Sequence, residues 1–255
     1  MPKLLDCTLR DGGYYNAWDF SVDLINDCLE AMSAISVDYV ELGFRSLETN
    51  SFKGGCAFTT DNFIQQFNLP SNIKLGVMIN ASEIVNYKNG LVSALSKLFK
   101  PSSKSPVTLV RIACHMHEFE SALPACLWLK EMGYEVGVNL MQIAERSKDE
   151  IEKVACLASQ YPIDVLYFAD SMGSMSPDYT SDIIATLRLG WEGPLGIHTH
   201  DNMGRAMANS MCAVSNGVTW IDSTVTGMGR GPGNVQTEYL AIEMAEFKKI
   251  PLNLA

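Results

Sequence analysis

In the stretch IHTHDN, residues 197–202, two histidines stand two positions apart, and the whole chain of 255 residues has only four. Side chains alternate along an extended strand, so His198 and His200 would share one face about 6.6 Å apart. Two imidazoles so placed reach one divalent ion if a third group closes the site. Asp11, delivered beside Arg10 by the apolar run that opens the chain (LLDCTLRDGG, residues 4–13), is the candidate. Two histidines and a carboxylate leave three positions open on an octahedral ion, which is what chelation of a substrate requires. A lone His-x-His pair is more simply explained by hydrogen bonds to backbone carbonyls; Arg10 and Asp11 at a predicted strand end favour the metal. Arg10 has a use of its own. A metal-bound 2-oxo acid that loses its C3 partner becomes an enolate, and a fixed guanidinium stabilises the developing oxyanion. An ion pair of Arg10 with Glu41 or Asp11 is the structural alternative, and both can hold at once.

The other two histidines lie in RIACHMHE, residues 111–118. His115 and His117 share a face with Arg111, which suits substrate contact or proton transfer. A zinc site is not expected, because the Cys114 and His117 spacing has no second pair elsewhere. TGMGRGPGN, residues 226–234, is a glycine-rich loop whose amides could cradle a phosphate. Asn234 at its end either caps the following helix or leans toward the metal.

These residues need elements to hold them. Short β-rich runs followed by longer helical patterns recur eight times. Predicted strands span 3–8, 37–44, 73–79, 107–113, 134–140, 163–169, 194–198 and 219–224. Predicted helices span 22–35, 61–67, 91–98, 118–132, 147–160, 177–189, 203–216 and 235–247. Ser147, with Glu150 three residues on, reads as a helix start, and Gly133 as a helix stop. A parallel neighbour cannot be reached by a tight turn, so each strand requires a crossover. Eight such units in about 250 residues is the size of one α/β domain, a (β/α)8 TIM barrel over residues 1–255, with a doubly wound open sheet as the alternative. In such a barrel chemistry sits at the C-terminal ends of the strands. That places Arg10, Asp11, Glu41, Arg111, His115, His117, Asp170, Ser171, His198 and His200 around one mouth.

The chain is 47% hydrophobic with a formal net charge of -10, enough for a large core and a surface that repels phosphate backbones and anionic lipid. Nucleic acid and membrane are therefore not expected partners, while an acidic surface still permits self-association as a homo-oligomer. Seven cysteines are scattered singly with no C-x-x-C pair, as buried thiols in a reducing compartment would be. No secretory signal precedes Leu4 and no apolar run is long enough to span a bilayer, so a cytoplasmic location is expected.

The motifs DCTLRDG (6–12), ELG (41–43), RIACH (111–115), YFADSMGSM (167–175), IHTHDNMGRAMANS (197–210) and GMGRGPGN (227–234) run in order through nearly the whole chain. In them the sequence resembles the metal-dependent aldolase, lyase and condensing-enzyme barrels, and most of all the 4-hydroxy-2-oxo-acid aldolases. The resemblance implies Asp11, His198 and His200 as ligands to Mn2+ or Mg2+ and Arg10 as enolate stabiliser. Glu41, Arg111, Ser171 and Asn234 are the candidates for holding substrate. The reaction implied is reversible cleavage of a 4-hydroxy-2-oxo acid to pyruvate and an aldehyde. The condensing synthases carry Glu-Gln directly after TLRDG, where Gly13 and Tyr14 stand here. The CoA lyases carry a cysteine in the glycine loop, which residues 227–233 lack. Acyl-CoA condensation of the isopropylmalate synthase type is thus the alternative chemistry, and a catalytically silent barrel the alternative without chemistry. The oxovalerate aldolases place a catalytic histidine where this chain has Tyr14, leaving Tyr14, His115 and His117 as rival bases for the 4-hydroxyl. Those aldolases also continue into a helical segment that docks an aldehyde dehydrogenase; the sequence stops at Ala255, so that partner is not expected.

Overall fold

Runs of Val, Ile and Leu that are apolar on both faces belong in a sheet covered on both sides, and parallel pairing supplies that cover. The computed structural model describes residues 1–47 and 51–248. In chain order the elements are β1 (Lys3–Asp6), α1 (Thr8–Asp11), α2 (Val22–Ala34), β2 (Tyr39–Phe44), α3 (Asp61–Ile64), β3 (Lys74–Asn80), α4 (Ala81–Val85), α5 (Leu91–Leu98), β4 (Val107–Cys114), α6 (Phe119–Glu131), β5 (Glu135–Leu140), α7 (Lys148–Ala158), β6 (Val165–Asp170), α8 (Pro177–Leu187), β7 (Leu195–Thr199), α9 (Ala206–Ser215), β8 (Trp220–Ser223) and α10 (Thr237–Lys248). The strands form a closed parallel barrel in sequence order, the (β/α)8 TIM barrel. Closure is made by β1 on β8, with Lys3 opposite Trp220 and Asp6 opposite Ser223, which disposes of an open sheet.

Alternation along the strands sorts the core into two. Leu4, Val40, Val110, Leu166 and Ile221 point outward into the large core beneath the helices. Leu5, Tyr39, Leu109, Val165, Tyr167 and Trp220, with Cys7, form a separate inner plug. This plug is the apolar floor on which Glu41, Arg111 and Asp222 are layered. Helices start where the sequence says they should: Ser147 and Glu150 make a reciprocal capping box on α7, and Ser21, Thr60 and Ser176 cap α2, α3 and α8.

Two local departures matter for the site. β1 ends at Asp6 rather than residue 8, because the Asp6 carboxylate accepts hydrogen bonds from Thr8 N and Thr8 Oγ1, both at 3.0 Å, and curls residues 8–11 into a helical turn. Arg10 and Asp11 therefore stand on α1, not on a strand. β4 ends at Cys114, and His115 opens a 3-10 turn over Met116–Glu118. The strand alternation that put His115 and His117 on the face of Arg111 stops one residue short of them.

Candidate active site

Asp11 from α1 meets His198 and His200 from the end of β7, with one ligand atom of each lying within 4.8 Å of the others and all three residues buried. His198 Nε2 is 3.4 Å from Asp11 Oδ2, while its Nδ1 is 2.9 Å from Asp222 Oδ2. A carboxylate on Nδ1 keeps the proton there and frees Nε2 as a donor to a cation. Burial, followed by the neighbouring His198, pushes the His200 imidazole down to about 3, so it is a neutral donor. Burial resists ionisation of Asp11, but Arg10 and then His198 outweigh it and hold the carboxyl well below the usual range. Burial works against a proton on His198, but Asp11 and Asp222 outweigh it and raise its proton affinity. The Asp11 oxygen, the neutral His200 ring and His198 Nε2 form a donor set for which a divalent ion would compete with that proton.

A buried orphan supports that fit. The Asn234 side chain donates from Nδ2 to Asp11 Oδ2, and its Oδ1 is buried with no partner, an acceptor left over beside the donor set. A backbone bridge between His200 and Asn234 holds the two together. α10 begins only at Thr237, so Asn234 leans toward Asp11 and does not cap the helix. Cys7, His198 and Asp222 also cluster, but burial raises the Cys7 thiol well above its ordinary value, and Asp222 is engaged by Arg111.

Arg10 donates from Nε to Glu41 Oε2 at 2.9 Å and from Nη1 to Asp11 Oδ1 at 2.6 Å. Its Nη2 is buried with no partner. The ion pairs considered from sequence therefore exist, and they aim the guanidinium while leaving one donor unused. The Trp18 indole N–H donates to the Arg10 carbonyl at 2.8 Å, and its ring occupies the space a Cβ on Gly13 would need. Arg111 is wholly enclosed: Nε and Nη2 fork onto Glu41, and Nη1 reaches Asp222, each at 2.7 Å. It braces the two carboxylates beneath the site.

Beside Asp11 a cavity is lined by Arg10, Tyr14, Ser171, His198, His200 and Arg230, with Asn80 and Asn139 on its wall. Tyr14 is half-exposed and packs edge-on against Trp18, with ring centroids 4.8 Å apart. Ser171 Oγ accepts from Gln142 N at 3.0 Å. His115 and His117 stack on each other at 5.7 Å, and neither is in this lining; His117 is exposed beside Glu118. The glycine loop turns carbonyls, not amides, to the Tyr15 hydroxyl, which donates to the oxygens of Gly229 and Gly231. Asp222 and Asn139 carry no sequence motif and emerge only from the structure.

Residues 1–254 match the HMGL-like family. The 4-hydroxy-2-oxovalerate aldolase 2 of Rhodococcus opacus (strain B4) is 30% identical over 93% of this chain and 67% of its own. The 4-hydroxy-2-oxovalerate aldolase of Pelotomaculum thermopropionicum is 31% identical over 97% of this chain and 70% of its own. The crystal structure of the N-terminal domain of a candidate aldolase from Bacteroides vulgatus superposes with a TM-score of 0.85 at 29% identity, covering 98% of this chain and 82% of that one. Barrel, motifs and likeness over the full span lead to one assignment: the chain belongs to the HMGL-like family.

Proposed function

We propose that residues 1–255 form the catalytic barrel of a divalent-metal-dependent aldolase, a carbon–carbon lyase that cleaves or forms a 4-hydroxy-2-oxo acid with pyruvate and an aldehyde as its products or substrates. One observation carries the reading: Arg10 Nη2 is a buried, unpartnered cationic donor next to Asp11, His198 and His200. The names of the curated relatives support the same reaction. In cleavage the C3–C4 bond breaks, its electron pair delocalises from C3 onto the C2 oxygen, the 4-hydroxyl proton leaves to a base, and a proton returned to C3 completes pyruvate. Asp11, His198 and His200 would hold a divalent cation, Mn2+ or Mg2+ in our reading, which when bound would supply Lewis-acid polarisation of the 2-oxo group.

Arg10, fixed by Glu41 and Asp11, meets the charge that grows on the C2 oxygen with no reorganisation. Tyr14 lines the cavity and is the candidate proton acceptor for the 4-hydroxyl; Ser171 is placed to hold the substrate carboxylate. Phe44, Met78 and Met141 on the same wall exclude water from the carbanion. All seven cysteines are free thiols, consistent with a cytoplasmic enzyme. Proton NMR of pyruvate in D2O tests the reading. The methyl signal should exchange for deuterium with protein and Mn2+ or Mg2+ together and not with either alone; absence of exchange in metal-loaded protein refutes pyruvate as the nucleophile.

A further inference from the structure

Beside Phe44, Met78 and Met141 the cavity carries polar groups, Asn80, Asn139 and Arg230, that a plain alkyl aldehyde would leave unused. Arg230 stands on the glycine loop and lines the mouth with Arg10, Tyr14 and the two histidines. Its guanidinium carbon lies over the Tyr14 ring, 4.9 Å from the centroid, and it has no carboxylate partner among the described residues. The segment beneath it is held: Tyr15 donates to the carbonyls on both sides, those of Gly229 and Gly231, and Asn234 N donates to the Gly227 carbonyl at 2.9 Å. Arg230 is itself exposed, so the Tyr14 stacking and the anchored loop, not burial, hold its guanidinium at the mouth. Deeper in the same cavity Asn139 is 4% exposed, and its Oδ1 has no partner. A buried amide oxygen without a donor costs stability unless a ligand supplies one.

Charge bookkeeping separates the two ends. Arg10 is committed to Glu41 and Asp11, and Arg111 to Glu41 and Asp222, so the pyruvate end carries its own counter-charges. Arg230 is a cation left over at the opening, in a chain whose net charge is -10. A guanidinium presented this way recognises a carboxylate or phosphate through paired hydrogen bonds.

We infer that the acceptor aldehyde carries an anionic group, carboxylate or phosphate, bound by Arg230, with a hydroxyl of its carbon chain donating to Asn139. This rests on the aldolase reading and names the class of its second substrate.

The test offers Mn2+-loaded protein pyruvate with two matched pairs, glyceraldehyde 3-phosphate against glyceraldehyde and succinic semialdehyde against butanal. In at least one pair kcat/KM should favour the anionic member by about tenfold or more, as a charge-assisted contact predicts, and the pair that responds tells phosphate from carboxylate. In Arg230→Gln that ratio should fall toward one, with Arg230→Lys in between. A ratio of one in both pairs, a ratio unchanged in Arg230→Gln, or an equal loss for both members of a pair, as an effect through Tyr14 would give, overturns the inference. Calorimetric binding of the same four aldehydes reads the subsite without turnover. Anion-selective binding that depends on Arg230, without deuterium exchange into pyruvate, would sink the aldolase reading and keep the subsite; exchange without anion selectivity would do the reverse.

Discussion

His200 owes its role to being neutral. Burial and the adjacent His198 keep a lone pair on it at any ordinary pH, and among the described residues Asp11 and His198 are the titratable groups clustered with it. His200→Ala should therefore remove Mn2+ affinity and activity together; calorimetry showing tight Mn2+ in an active variant would take it out of the ligand set. Arg10 should behave differently, because its work is done on charge that appears during the reaction. In Arg10→Ala metal binding should persist while turnover falls about 10²- to 10³-fold or more, and single-turnover rates beside a Mn2+ titration separate the two effects. These side chains could be found in the sequence because a His-x-His on a strand and an Arg-Asp pair at a turn are unusual local patterns. Asp222 could not. It is one carboxylate in the strand WIDS, and only the pairing of β8 beside β7 brings it to His198 Nδ1. His115 and His117 misdirect for the converse reason: their pattern is local, but the strand that would aim them ends at Cys114.

Among the elements, the glycine loop acts less as a phosphate cradle than as a clamp. A Cβ added at Gly229 would overlap the Asn234 amide and lie 3.2 Å from Asp11 Oδ2. Gly229→Ala should therefore lower metal affinity by about tenfold or more by displacing Asn234 from Asp11. The unfolding midpoint should move little, since the loop lies at the surface of the mouth; unchanged metal affinity would show that the clamp is not needed. Strands and long helices were readable to within three residues, because apolar alternation and caps such as Ser147 with Glu150 are local signals. The turn α1 and the short α4 were not. Three-residue competition between Asp6, Thr8 and the strand ladder decides the first, and nothing in hydrophobic period marks so brief a change.

For the molecule as a whole, the seam where the barrel closes is tied by one buried carboxylate. Thr237 Oγ1 donates to Asp6 Oδ2 at 2.6 Å, and Val225 N donates to Thr8 Oγ1 at 2.8 Å, so Asp6 joins β1, α1 and α10 across the closure. Burial pushes its carboxyl up to about 6, against the donors of Thr237 and Thr8. A folded value above the unfolded one means that the native state binds the extra proton. Its contribution to stability is thus whole below pH ~4 and is lost as pH rises through about 6. Denaturant unfolding of wild type and Asp6→Asn should show the difference between them shifting in favour of the variant across that window; a pH-independent difference would place the proton elsewhere. The same closure joins Asp11, near the start of the chain, to His198, His200 and Asn234, near its end. A chain still emerging from the ribosome holds one ligand and no site until its last strands are made. In our reading, ion capture thus waits on β7 and the glycine loop, and a fragment that stops before them cannot sequester the cation.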